Sequence, residues 1–328
     1  MRDASGSSGA TTTRLVAEAG AAAVARSRQE REIHATYFVE ERAALAPDEF
    51  MRRYVRERRP VVVRGALEGC GALADWTMAG LRERCGGRIV ALKRWSGSQI
   101  EVTHSRLDAY LDRLEDYEAA SHDGRPADPP AYLHDIPLTS VVTTAAVDLA
   151  PFPCAFFPAW YGAEWTAFAQ MFLGPTGAVT PLHFDCLLTH NLFFQVWGRK
   201  TFTLLPHEEL AKCYPRDWRW CQVNVESPDL ERFPLFGEAR RADVVVEAGD
   251  LLYMPPGCLH HVRSLESSLS FNVDWHTRRS VAEGLLAARR GMPADNIRYN
   301  LLIALGLWGG VPKRRVFPFY KSYLSYVS

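Results

Sequence analysis

Apolar and polar positions change their period twice along this chain. Between residues 150 and 278 the apolar positions fall into short runs rich in aromatic and β-branched side chains, separated by Gly and Pro. The runs are Ala167–Leu173, Ala178–Phe184, Asn191–Val196, Lys200–Leu205, Asp243–Glu247, Asp250–Met254, His261–Ser264 and Ser268–Asp274. Such spacing predicts a mainly β unit, an antiparallel sandwich or barrel. Residues 206–242 interrupt it with Pro206, Pro215, Pro228 and Pro234 among many charges. This stretch reads as a long insert between strands, and long inserts in compact domains are often functional. With Trp218, Trp220 and Arg232 it is a candidate cover for a site.

The flanks are helical or mixed. Over residues 31–149, Asp48 is placed to cap a helix through Phe50, Tyr54 and Val55. Pro60–Gly65 reads as a short buried strand closed by a turn, Trp76–Cys85 as a helix and Arg88–Lys93 as a strand. Ser105–Leu114 has helical spacing, and His122–Pro130, with Gly and Pro, is a loop. In the tail, 279–328, Val281, Leu285 and Leu286 are expected to share one face. Asp295 is placed to cap a helix with Ile297, Leu301, Leu302 and Leu305 turned inward, stopped by Gly309, Gly310 and Pro312. The aromatic end from Phe317 to Tyr326 is expected to pack on the barrel or to form a dimer interface. Residues 1–30, poor in large apolar side chains, read as a disordered leader, with a helix expected over 13–32.

Composition narrows the class. With 47% hydrophobic residues the 328-residue chain can bury a substantial core. Thirty-eight basic and thirty-eight acidic residues cancel, so neither nucleic acid nor anionic lipid is an expected partner. The seven cysteines, Cys70, Cys85, Cys154, Cys186, Cys213, Cys221 and Cys258, are odd in number and contain no C-x-x-C pair. That argues against a disulfide framework or thiolate zinc and for a reducing cytoplasm. No apolar stretch approaches the ~20 residues of a membrane span, and the N-terminus lacks the form of a secretory signal.

The chemistry concentrates in Thr180-Pro-Leu-His183-Phe-Asp185. Strand residues two apart share a face, so His183 and Asp185 offer a nitrogen and an oxygen ligand side by side. A further histidine from a neighbouring strand would complete a two-histidine, one-carboxylate face, which leaves three positions open on iron(II). Alone, H-x-D is a weak signal. His207-x-Glu209 has the same spacing but follows Pro206 where a helix should start, so its side chains would not align. Gly249-Asp-Leu-Leu-Tyr-Met-Pro255 reads as a strand, then a turn, then a return strand opening with His260 and His261. Only one of these two can face the metal.

Together, Thr180–Asp185, Asn191-Leu-Phe-Phe-Gln-Val-Trp-Gly198-Arg-Lys200 and Gly249–Pro255 with His260-x-Val262 resemble the JmjC (cupin-like) 2-oxoglutarate oxygenases. Glu226-Ser-Pro-Asp-Leu-Glu-Arg-Phe-Pro234 is similar to the branch containing the hypoxia-inducible-factor asparaginyl hydroxylase. The resemblance covers residues 47–278 and implies a double-stranded β-helix (jelly roll). It selects His260 over His261 as third ligand. It also implies iron(II), 2-oxoglutarate and O2.

The co-substrate's far carboxylate needs a cation and hydroxyl donors, roles that suit Lys200 and Thr180. The family pattern adds Tyr132, Asn191 and Asn272. Asn272 alternates with Phe271 and Val273 and is expected to face the pocket. Three departures bear on the pocket's shape: two extra residues before Asn191, Phe184 for a common tyrosine, and Cys258-Leu259 where tryptophans are frequent. The implied activity is hydroxylation of an unactivated C–H bond, first on a protein or peptide side chain. A free amino acid or small metabolite is the second substrate class, and a non-catalytic, metal-retaining binding module the third reading. No zinc finger or basic stripe points to chromatin. A homodimer through the C-terminal helices is also expected.

Overall fold

A computed structural model describes residues 37–96 and 99–326. The expected leader and the helix over 13–32 lie outside the described residues. The strands are β1 (Glu40–Arg42), β2 (Val61–Val63), β3 (Ile89–Ser96), β4 (Gln99–Arg106), β5 (Leu133–Pro137), β6 (Ala169–Gly174), β7 (Val179–His183), β8 (His190–Trp197), β9 (Lys200–Leu205), β10 (Ala242–Val246), β11 (Leu251–Met254), β12 (Leu259–Ser264) and β13 (Ser268–Trp275). A seven-stranded sheet runs β1-β2-β11-β8-β13-β6-β5, and a four-stranded sheet runs β10-β9-β12-β7. Strands β3 and β4 form a separate hairpin. Every pairing is antiparallel except β1 with β2.

The two larger sheets make the jelly roll. Strands β11 and β12 are not a hairpin, because the chain crosses from one sheet to the other at Pro255–Cys258. Between the sheets Val62, Phe193, Phe202, Leu204, Leu252 and Met254 form one apolar cluster. Outside the larger sheet, Leu192, Phe194, Phe271 and Val273 join Phe50, Trp76, Phe152 and Trp165 in a second. Strand β8 is thus covered on both faces, which explains why Leu192, Phe193 and Phe194 are apolar in succession rather than alternating. Strand β13 sends Leu269, Phe271, Val273 and Trp275 outward to that layer. Its intervening residues Ser270, Asn272 and Asp274 are also buried, on the opposite face by the period of two. Asn272 therefore faces the barrel interior.

Several local expectations are corrected. The first helix begins at Pro47 with Ala46 as its cap, so Asp48 lies in the first turn. It continues through Phe50–Val55 with one residue more per turn, since Arg56 and Arg59 donate to the carbonyls of Met51 and Tyr54. The helix expected over Trp76–Cys85 starts two residues later, as Met78–Cys85 capped by Thr77, and a separate short helix, Gly71–Asp75, precedes it. In the tail, Pro293 precedes the helix Ala294–Leu307 and Asp295 does not cap it. Its inward face is Tyr299, Asn300, Ile303 and Leu307, whereas Leu301 and Leu305 point to solvent. Leu286 is likewise exposed, while Val281 is buried. Of the aromatic end, Phe317 and Tyr320 pack against Phe168.

Residues 206–241 contain short helical turns and no strand of either large sheet, and β10 starts at Ala242. Cys213, Cys221, Phe233, Phe236 and Ala239 of this stretch pack with Leu182, Phe184, Leu205 and Leu259 of the barrel and Ala287 and Met292 of the tail. Apolar area removed from water makes this a packed layer rather than a loose loop.

Candidate metal centre

Strand β12 runs between β7 and β9 and places His260 directly opposite His183. The two imidazole centroids are 4.2 Å apart. Strand β7 ends at His183, and Asp185 lies just past it. The alternation continues through those two residues, so that one donor atom each from His183, Asp185 and His260 lies within 4.8 Å of the others. Asp185 Oδ1 is 3.9 Å from His260 Nε2.

The ring tautomers follow from the partners. His183 Nδ1 is 2.8 Å from the Pro181 carbonyl oxygen, and His260 Nδ1 is 3.1 Å from that of Cys258. A carbonyl only accepts, so each Nδ1 carries the proton and each Nε2 keeps a lone pair for a metal. Burial, with His260 and Arg219 nearby, holds the His183 pKa well below its ordinary value. Asn191 Nδ2 donates to Asp185 Oδ2 at 3.1 Å, which orients the carboxylate with Oδ1 toward the histidines. Two imidazoles whose Nδ1 edges are tied to carbonyls, and a carboxylate, on one face fit a divalent metal of the iron(II) type.

His261 faces the other way. Its Nε2 is 3.7 Å from Glu226 Oε1 in the insert, where Arg263 also pairs with Glu226. Of the two, His260 is the one whose ring nitrogen lies with His183 and Asp185. His207 contacts the Gly257 carbonyl at 3.0 Å, and Glu209 pairs with Arg240 and Lys212, so neither belongs to the centre.

A narrow cavity of about 70 Å³ adjoins the triad. Thr180, Tyr132, Asn191, Lys200 and Asn272, all named from the sequence, line it with His183 and His260. Lys200 is 1% exposed and donates to Tyr132 Oη at 2.7 Å. Phe172, Phe193 and the Tyr132 ring surround its ammonium at 5.3–5.7 Å. No carboxylate pairs with it among the described residues, and burial alone lowers its pKa to about 7. An ammonium without a counter-ion in an apolar pocket is costly unless an anion joins it. Asn272 Oδ1 and Asn191 Oδ1 are also buried without a hydrogen-bond partner. The Lys200 ammonium fits a small carboxylate co-substrate, whereas the two amide oxygens accept and call for a donor beside it.

Sequence reasoning missed several wall residues. His134 lies two residues after Tyr132, and its ring is 5.1 Å from that of Tyr132 and 4.9 Å from that of Phe172. The same period of two that placed Asp185 could have found it. Asp135 follows at an irregularity between Leu133 and Ile136, with φ of 62°. That bulge turns its carboxylate into the cavity, and burial raises its pKa to about 6. Arg219 and Trp220 reach the cavity from the insert. Arg232 instead lies over the Phe233 ring, and Trp218 donates to the Cys186 carbonyl at 2.8 Å.

A double-stranded β-helix with two histidines and a carboxylate at one end defines a cupin-type protein with a candidate metal site. A description of the cupin-like domain matches residues 47–280, and the chain belongs to that family. The JmjC resemblance read from its motifs holds. The chain is 29% identical to the lysine-specific demethylase JMJ30 of Arabidopsis thaliana over 245 residues, 72% of this chain and 54% of that protein. It is 27% identical to the lysine-specific demethylase 8 of Xenopus tropicalis over 233 residues, 70% of this chain and 50% of that protein. A shorter match, 39% over 116 residues, is to the HSPB1-associated protein 1 of Rattus norvegicus, covering 34% of this chain and 23% of that protein. The chain spans about half the length of the two demethylases. The JmjC family uses iron(II) and 2-oxoglutarate. No helix among the described residues is long and apolar enough to cross a membrane.

Proposed function

We propose that this chain is an iron(II)- and 2-oxoglutarate-dependent dioxygenase that hydroxylates an unactivated C–H bond. The observation that carries the reading is Lys200, a buried ammonium without a counter-ion, in the same cavity as the triad. A metal hydrolase or isomerase on this barrel has no use for a buried cation there. A non-catalytic module has no need to keep both the triad and Lys200.

When bound, iron(II) with 2-oxoglutarate and O2 supplies the oxidising power. His183, Asp185 and His260 would hold the metal. Lys200, with Tyr132 beside it and Thr180 in the same cavity wall, would anchor the distal carboxylate. Asn191 keeps Asp185 turned toward the metal. Arg219 and Trp220 close the cavity from the insert and restrict water.

The first substrate class is a protein or peptide side chain, since the two long matches are to proteins named for action on lysine. The narrowness of the cavity also accommodates a free amino acid or small metabolite. Succinate release stimulated by a peptide library, but not by free amino acids, would favour the first class. The opposite result would favour the second. The test of the oxygenase itself is anaerobic addition of iron(II) and 2-oxoglutarate, which should give the visible charge-transfer band of the chelate. Absence of a band, or a band unchanged in His183→Ala, would sink the reading.

A homodimer through the C-terminal helices belongs to the same proposal. Leu286, Leu301, Leu305 and Trp308 are each about half exposed, and Leu301, Leu305 and Trp308 line one apolar groove. Sedimentation should give a dimer, and Leu301→Asp with Leu305→Asp a monomer. The seven cysteines are all free, which supports a reducing, cytoplasmic setting.

A further inference from the structure

We propose that Trp220 is a positioning residue for His183, and that through it the 206–242 insert and the metal centre order one another. The inference rests on the reading of the triad as a metal site.

The argument starts at a sheet edge. In the four-stranded sheet β7 is an outer strand, paired on one side only, with β12. An outer strand leaves backbone donors and acceptors unmatched. Residues 219–221 of the insert supply the match. Cys221 N–H donates to the Leu182 carbonyl at 3.0 Å, and Phe184 N–H donates to the Arg219 carbonyl at 3.2 Å. Trp220 is thereby set directly opposite His183.

His183 needs that support more than His260 does. His260 lies within β12, with ladders to β7 and β9 on either side. His183 is the last residue of its strand. Its Nδ1 contact with Pro181 fixes the tautomer and restrains the ring at one edge. Two rings pin it: His260 at 4.2 Å and 55°, and the Trp220 indole at 4.6 Å and 27°. The Arg219 guanidinium lies 4.7 Å from the centroid of the same indole.

The insert also grips the far side of the motif. Trp218 donates to the Cys186 carbonyl, one residue past Asp185. It therefore braces both ends of the His183–Asp185 segment. Whatever fixes the His183 ring favours docking of Trp220, and docking of Trp220 favours metal at His183 Nε2. The coupling is reciprocal by linkage.

The test uses the full chain and Co(II) alone, without oxygen. Trp220→Leu keeps apolar bulk without a ring to stack, and Trp220→Phe keeps the ring. Co(II) titration by ligand-field absorption should show Trp220→Leu weakened about tenfold or more, the scale on which groups that orient metal ligands act. Trp220→Phe should bind like the unaltered chain. Hydrogen exchange over residues 206–242 should slow when Co(II) binds the unaltered chain.

Equal Co(II) affinity in Trp220→Leu would overturn the proposal. If that variant fails to fold, the exchange result decides alone: no change over 206–242 on Co(II) binding overturns it. Failure of the unaltered chain to bind Co(II) would remove the metal reading and this inference with it.

Discussion

The Lys200 ammonium donates to Tyr132 Oη at 2.7 Å across the join between two sheets, one residue at the start of β9 and the other just before β5. The pair closes the end of the cavity remote from the metal ligands. Replacing Lys200 with Met should leave metal binding intact and weaken 2-oxoglutarate about 10- to 100-fold, the worth of one charge-assisted hydrogen bond. Titration calorimetry on the Co(II) form, without oxygen, checks it. Unchanged 2-oxoglutarate affinity would show that the co-substrate lies elsewhere.

The same lysine sets a pH dependence. Burial lowers its pKa from 10.5 to about 7. Between those values the unfolded chain binds a proton that the folded, co-substrate-free chain does not, so stability rises with pH across that window. A bound carboxylate favours the ammonium. Above about pH 7 binding must then take up a proton, and 2-oxoglutarate affinity should fall by up to about tenfold per pH unit. Calorimetry in buffers of different ionisation enthalpy should register the uptake. A flat profile from pH 7 to 9 would refute it.

Asn191 holds the Asp185 oxygen farther from His260. Asn191→Ala should keep the fold and weaken Co(II) binding about tenfold or more, by freeing the carboxylate to rotate. Equal affinity, with an unchanged melting temperature, would assign Asn191 to the co-substrate alone.

Gly198 turns the chain from β8 into β9 and so sets the position of Lys200. Its φ is 71°, and an added Cβ would meet the Ser267 carbonyl oxygen at 2.3 Å. Gly198→Ala should destabilise the chain by about 2 kcal/mol or more, from left-handed strain and backbone contact together. Chemical denaturation measures this. A loss below about 0.5 kcal/mol, the ordinary surface range, would mean that the turn can rearrange.

Much of the site was legible because strands impose a period of two. His183 with Asp185, and Asn272 between Phe271 and Val273, could be placed on a face from spacing alone. The choice of His260 over His261 could not. It depends on which side of β12 meets β7 at His183 and which meets Glu226 of the insert. His134, two residues from Tyr132, follows the same period into the cavity. Asp135 was hidden by the bulge, which breaks that period. Leu301 and Leu305 were misplaced because apolar residues cover most of their helix, leaving the sequence no polar face to read.

The sequence by itself determined the short-range pattern: the β block at 150–278, the insert, the H-x-D donors and the lysine after Gly198. These depend on backbone geometry over a few residues. Tertiary structure alone decided what lies across a gap. It set Tyr132 against Lys200, Asn191 against Asp185 and Trp220 against His183, residues 68, 6 and 37 positions apart. Such partners are chosen by sheet order and by the path of the insert, and local spacing carries no record of either.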